Sequence, residues 1–299
     1  MERHGAFDEE LEHTVLDVGI PPCPTILLEL AFEARKEETD LHRIEKLISS
    51  DVGLSAALIK TVNSPFYGLR IKVHAIAHAI QVLGLNRLWL MVMGMVLRDT
   101  LRDMCQVDMR RFWDASAKVA TISSYIALRL PGLDSKTPRP VIDKDEAYTY
   151  GLFQDCGIPI LLSHYPRYKE TLSMANHMQE RKFTDIEEAG HNTNHALVGY
   201  LLAKSWGLPE DMVQAIRNHH EHEDIAGGDE MISAASRNFI ALALLAEHAI
   251  QDITGLSLGC EWNKGGQWVC RHFGLSDEDV QVIIDGIRVL YEEGNLEDL

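Results

Sequence analysis

The sequence predicts an all-α protein, on three observations. Apolar residues recur at helical spacing along almost all of the 299 residues, strand-like alternation is scarce, and capping or breaking residues bound the periodic stretches. Asp40 stands as an N-cap ahead of Leu41, Ile44, Leu47 and Ile48, which share one helical face. Ser50 or Asp51 opens a second helix that turns Leu54, Ala57, Leu58 and Val62 inward. It stops at Asn63-Ser64-Pro65, because proline lacks the ladder donor and disfavours a helical residue before it. His74 to Leu83 forms a short helix closed by Gly84, and Asn86 caps a more apolar one through Trp89, Met93 and Val96 to about Leu101. Phe112 to Leu130 reads as a long helix ended by Pro131-Gly132. The aperiodic, proline-containing stretch from Pro131 to Asp143 reads as a surface loop.

Asp145 to His164 continues helical, interrupted at Gly157-Ile158-Pro159. Thr184-Asp185-Ile186-Glu187 has the form of a capping box, in which the hydroxyl and the carboxylate each satisfy an orphan amide. The helix it opens runs to about Trp206 and stops at Gly207. Pro209 sits at the first turn of a helix carrying Met212, Val213 and Ile216. Ser233 to Ile253 and Ser276 to Glu293 complete the set, separated by a Gly-rich segment from Gly255 to Gly266.

Lys plus Arg number 28 and Asp plus Glu 45, a formal net charge of −17. Such a chain does electrostatic work against DNA, RNA or an anionic membrane surface, which sets aside non-specific nucleic-acid binding. A 46% hydrophobic share with 24% charged residues excludes global disorder. The cysteines, at 23, 105, 156, 260 and 270, form no Cys-x-x-Cys pair, and Cys260, Cys270 and His272 lack four-ligand zinc spacing. No signal-peptide core follows Met1, and the longest apolar run, Leu88 to Leu97, is too short for a bilayer. The expectation is a cytoplasmic protein of a reducing compartment.

Five of the 14 histidines (191, 195, 219, 220 and 222) crowd into one short stretch. His191 and His195, four apart, would project from one face of the capping-box helix, with His219-His220-Glu221 at the end of the next. Two facing helices can bring such side chains together as metal ligands. Imidazole suits zinc, iron, nickel or copper, and a carboxylate widens the range to manganese or magnesium. Histidines near helix C-termini also arise because they complement the helix dipole, so spacing alone leaves both readings open.

A second constellation bears on that choice. Gln154-Asp155-Cys156-Gly157 resembles the His-Asp-x-Gly signature of HD-superfamily phosphohydrolases, whose adjacent His and Asp ligate metal, with the glycine letting the backbone turn after a helical aspartate. Phe112-Trp113-Asp114-Ala115-Ser116 stands where relatives carry Trp-x-His-Ser, and Gly190 to Gly199 looks like their glycine-flanked helix, with His195 as its histidine. Asn218-His219-His220-Glu221 looks like their His-His-Glu segment, and Glu247 falls where a closing aspartate ligand is expected. Upstream come Pro21-Pro22-Cys23-Pro24, Ser50-Asp51-Val52-Gly53-Leu54, Asn63-Ser64-Pro65-Phe66-Tyr67-Gly68 and Ala79 to Leu88. In that order they resemble the HDOD domain, the HD-related output domain of bacterial signalling proteins. The resemblance implies an HD-domain-like multi-helix bundle with an N-terminal helical subdomain. It divides the chain into a segment 1–18, an HDOD domain 19–225 (subdomain 19–105, degenerate bundle 106–225) and C-terminal helices 226–299 that complete the bundle. Trp262, Trp268 and the glycines near them could instead form a loop over the site.

The departures bear on mechanism. Ala115 has no donor where an active enzyme needs its first histidine, Gln154 replaces the His of His-Asp, and the Gly-Tyr-Pro of cyclic dinucleotide phosphodiesterases is missing. No residue stands out as catalytic. Asp155, His195, His219, His220 and Glu247 remain as a vestigial or single-ion metal set. Asp155 reads either as a ligand or as a hydrogen-bond partner of His195 or His219 in a metal-free core, and His191 as solvent-facing. The expected function is a non-catalytic bacterial signalling module acting through signalling proteins or a small ligand such as a nucleotide, with no nucleic acid or membrane partner. It would require no cofactor, though a single divalent metal ion could bind. The alternative is a metal-dependent phosphohydrolase acting on nucleotides or cyclic nucleotides with an incomplete ligand set.

Overall fold

The structure is a computed structural model and describes residues 18–36, 38–64, 67, 69, 71–104, 108–133, 139–227, 232–255 and 259–292. Among the described residues there are helices and no strand, grouped into two compact units built mainly on Pro22–Thr100 and Leu101–Val289.

The first unit contains α1 (Thr25–Ala34), α2 (Leu41–Ser49), α3 (Val52–Val62), α4 (Ile76–Leu83) and most of α5 (Leu85–Met104). Asp40 caps α2 by accepting from the amides of His42 and Arg43, and Asp51 caps α3 by accepting from Leu54. Past α3 the Asn63 side chain donates to the Val73 carbonyl at 2.6 Å and accepts from its amide at 2.8 Å, a second reason for the helix to stop there. Pro65, Phe66 and Gly68 lie outside the described residues. Two boundaries differ from those read in the sequence. α4 begins at Ile76 rather than His74, and Asn86 lies within the first turn of α5 instead of capping it. Gly84, at φ 77°, closes α4 and its carbonyl accepts from Leu88, so one glycine serves both helices and leaves no separate cap position. Among the described residues no single helix is long and apolar enough to cross a membrane.

In the second unit α6 (Arg110–Arg129) packs against α7 (Lys144–Phe153) and α14 (Ala234–Thr254). Beside these lie α8 (Gly157–His164), α11 (His195–Ser205) and α12 (Glu210–Asn218), α8 and α12 each against α11 and α12 also against α14. Tyr150, Phe153, Ile126, Leu130 and Leu245 are buried here. The remaining helices are α9 (Tyr168–His177), α10 (Phe183–His191), the short α13 (His222–Ala226), α15 (Glu261–Phe273) and α16 (Asp277–Glu292).

Three sequence expectations are corrected in this unit. The Gly-rich segment is in large part helix α15. Gly265 lies where an added Cβ would meet Leu244 at 2.6 Å and His222 at 2.9 Å, so its lack of a side chain marks a close helix contact and not a loop. The stretch from Thr184 to Trp206 is two helices, because Asn192 turns left-handed (φ 54°) and Asn194 recaps the chain by accepting from the Leu197 amide at 2.7 Å. His191 and His195 therefore do not share a helix face. Finally, Thr184 is no capping residue. Lys182 holds the N-cap position, the Thr184 hydroxyl donates to Glu221, and Glu187 is fully buried on the same face as Phe183 and Ile186.

Gly157 decides how two of these helices meet. A Cβ there would stand 2.1 Å from the His195 carbonyl oxygen and 2.8 Å from the Gly199 amide nitrogen, so only a residue without a side chain lets α8 approach α11. The glycine serves backbone approach rather than a turn. Gly157→Ala should cost about 3 kcal/mol or more, at the upper end of overpacking substitutions. Gly132→Ala, where nothing lies within 4 Å, should change stability by less than about 0.5 kcal/mol. Denaturant titration of the two variants checks the contrast, and equal losses would contradict it.

Candidate metal centre

The close approach of α8 and α11 brings a carboxylate to a cluster of imidazoles. Asp155 lies in the turn between α7 and α8, not on a helix, with Oδ1 3.4 Å from His195 Nε2 and 3.5 Å from His219 Nε2. His195 is the first residue of α11, while His219 and His220 follow α12 directly. His195 Nε2 lies 3.0 Å from His219 Nε2 and 3.1 Å from His220 Nε2. Three rings from two helix termini thus point the same nitrogen at one place. His195, His219 and His220 are 0%, 8% and 8% exposed.

The other nitrogen of each ring fixes its tautomer. His195 Nδ1 faces both oxygens of the Glu187 carboxylate at 2.9 and 2.8 Å, His219 Nδ1 the carbonyl of Ile216 at 2.8 Å, and His220 Nδ1 the Glu261 carboxylate at 2.7 Å. A carbonyl or carboxylate oxygen only accepts, so each Nδ1 carries the proton and donates. In the neutral rings all three Nε2 atoms are therefore lone pairs, facing one another and Asp155 Oδ1. Acceptors converging in this way favour a cation between them, either a proton or a metal ion.

The donor set suits either one. Ligands about 2.0–2.1 Å from a tetrahedral ion stand roughly 3.3 Å apart. The separations here, 3.0, 3.1, 3.4 and 3.5 Å, bracket that spacing. Burial resists charging His195, but the Glu187 and Asp155 carboxylates outweigh it and push its pKa up to about 10. Burial and the charge of His219 push His220 the other way, down to about 3. Burial likewise opposes ionising Asp155, yet its contacts with His195 and His219 hold its carboxyl well below the usual carboxylate range.

Two carboxylates that sequence reasoning passed over support the rings. Glu187 also accepts from the Tyr168 hydroxyl and, at 3.4 Å, from the His195 amide. The signal was there: a glutamate on the apolar stripe of Phe183 and Ile186. Glu261, the first residue of α15, additionally accepts from His222 Nε2 at 2.9 Å and from Lys264 at 2.7 Å. Its signal was hidden by reading α15 as loop. Phe183 stacks on His220, with centroids 4.6 Å apart and planes at 10°, and meets His195 edge-on. His191 is half-buried rather than solvent-facing, and bonds to Thr171 at 2.9 Å. The Cys260 thiol donates to the Met178 carbonyl.

The fifth expected ligand stands apart from the ring cluster. Gln154 donates from its amide nitrogen to Glu247 at 2.5 Å. Burial, reinforced by the charge of Asp155, raises the Glu247 pKa to about 8. Ala115 contributes a methyl group to the same cavity, a space of about 420 Å³ beside the cluster that is also lined by Asp155, Gln154, Glu247 and the three histidines.

Among the described residues, the second unit is an HD-like helical bundle carrying a histidine-rich centre. The model of the HDOD domain family matches residues 20–222, and the chain belongs to that family. An uncharacterised protein of Treponema pallidum (strain Nichols) is 29% identical over 207 residues, 67% of this chain and 37% of that protein, so the match spans little more than a third of the relative's length. A proposed phosphohydrolase from Shewanella amazonensis SB2B shares the fold at a TM-score of 0.68 and 19% identity, over 97% of each chain. An HDOD domain protein of unknown function from Geobacter sulfurreducens does so at 0.65 and 22%, over 93% of this chain and 92% of that one.

In metal-free protein the raised pKa of His195 makes its proton that cation. A folded-state pKa of about 10 against an unfolded 6.5 stabilises the fold fully below about pH 6.5, and that contribution is lost as the pH rises to about 10. In chelator-treated protein, the stability gap between wild type and His195→Asn should accordingly narrow across that range. Thermal denaturation at several pH values measures it, and a constant gap would contradict the assignment.

Proposed function

We propose that this protein is a non-catalytic regulatory module whose second unit holds one divalent ion on His195, His219, His220 and Asp155 and presents it to a small ligand. The observation carrying this reading is the convergence of three Nε2 lone pairs whose rings are each oriented by a fixed acceptor. Such an arrangement of outer partners is what metal-ligating histidines require. An ion bound there supplies a Lewis-acidic position for an oxygen of the ligand. The chain's own residues do the rest. Glu187 and Glu261 hold the rings, Phe183 fixes the plane of His220, and Gln154 occupies Glu247.

The same residues argue against hydrolysis. Phosphodiester cleavage commonly relies on a second ion to neutralise the leaving oxygen. Where the HD signature would supply histidines, this chain has the methyl group of Ala115 and the amide of Gln154. The signalling role itself comes from the HDOD family, whose members act as output domains.

Elemental analysis of protein purified without chelator should find close to one divalent ion per chain. Glu187→Gln, which keeps the shape but removes the charge holding His195, should weaken ion affinity about 10–100-fold. His195→Ala should abolish binding. The loaded protein should leave a generic phosphodiester such as bis(p-nitrophenyl) phosphate intact. Two ions per chain, or turnover lost in Asp155→Ala, would overturn the reading in favour of a phosphohydrolase.

A further inference from the structure

The cavity beside the centre offers two kinds of lining. Polar groups come from the histidine cluster, Asp155, Glu261 and the Gln154–Glu247 pair, with Arg111, Lys169 and Asn176 also present. Apolar lining includes Val119, Ile158, Leu162, Leu172, Ile240 and Leu244, drawn from α6, α8, α9 and α14, and Ala115 adds a methyl group. The Ser116 hydroxyl donates to the Phe112 carbonyl at 3.1 Å.

The lining limits what can enter. A nucleoside would lay a hydrogen-bonding base along the aliphatic lining, at a desolvation cost that apolar contacts do not repay. An aliphatic body gains from burial where a base loses. The volume, about 420 Å³, lies within the roughly 300–1,000 Å³ of small-molecule sites.

We propose that the cavity takes an amphiphile of the medium-chain acyl type, with one oxygen-bearing anionic head toward the histidine cluster and its hydrocarbon along the walls of α6, α8, α9 and α14. The placement of the head rests on the ion-binding reading above; the preference for an apolar body does not.

The test is calorimetric titration of the full chain, zinc-loaded and chelator-treated, with octanohydroxamic acid, acetohydroxamic acid and ATP. Each buried methylene contributes about 0.8 kcal/mol, so the octanoyl compound should bind at least about tenfold more tightly than the acetyl one. ATP should bind no better than acetohydroxamic acid. Ala115→Phe and Leu162→Phe, which fill the cavity from two helices, should each erase the chain-length preference while the bound-zinc count is unchanged. Equal affinity for the two hydroxamic acids, or tighter binding of ATP than of either, overturns the proposal. If zinc fails to bind yet the chelator-treated protein still prefers the octanoyl compound, the ion reading falls and the ligand class stands. If zinc binds and no chain-length preference is seen, the ligand class falls and the ion reading stands.

Discussion

In the interior of the second unit the His195 Nε2 atom lies about 3 Å from Nε2 of both His219 and His220, and each ring has its proton on the far side, held by Glu187, Glu261 or the carbonyl of Ile216. A buried acceptor left without a donor costs about 1–3 kcal/mol, and here three converge on a carboxylate. Positive charge at that point relieves the cost. Much of the local architecture serves this constraint: the left-handed Asn192 that starts a new helix at His195, the side-chain-free contact at Gly157, and the first turn of α15 that delivers Glu261.

The proposed one-ion reading turns on the same region. A second ion would need donors where Ala115 and Gln154 stand, and Gln154 instead donates to Glu247. Under that proposal, one Lewis-acidic position beside a largely apolar space would hold a ligand rather than cleave a phosphodiester.

Much of this was legible in the residues. The all-helical class, the N-caps at Asp40 and Asp51, and the resemblance to HDOD domains follow from periodicity, cap chemistry and ordered motifs. Asp155, His195, His219 and His220 could be named before any coordinates, and the structure brings these four together. Glu247 was named for its place in the chain order, but a neighbouring amide claims it. Glu187 was assigned to a capping box because the Thr-x-x-Glu spacing is local, whereas its burial against His195 depends on a chain reversal at Asn192 that periodicity does not reveal. Glu261 was missed because Gly265 and Gly266 suggest a loop. The reason for one of them, contact with Leu244 and His222, exists only once α14 and α13 are packed beside it.

The most direct test is the protonation of the rings themselves. Long-range ¹⁵N–¹H correlation spectra of the zinc-loaded protein, assigned through His195→Asn, His219→Asn and His220→Asn variants, report which nitrogen of each ring bears hydrogen. The account predicts that all three are protonated at Nδ1 and metal-bound at Nε2, and that removing zinc shifts the three Nε2 signals together. A proton on Nε2 of any of these rings in the loaded protein, or spectra indifferent to zinc, would contradict it.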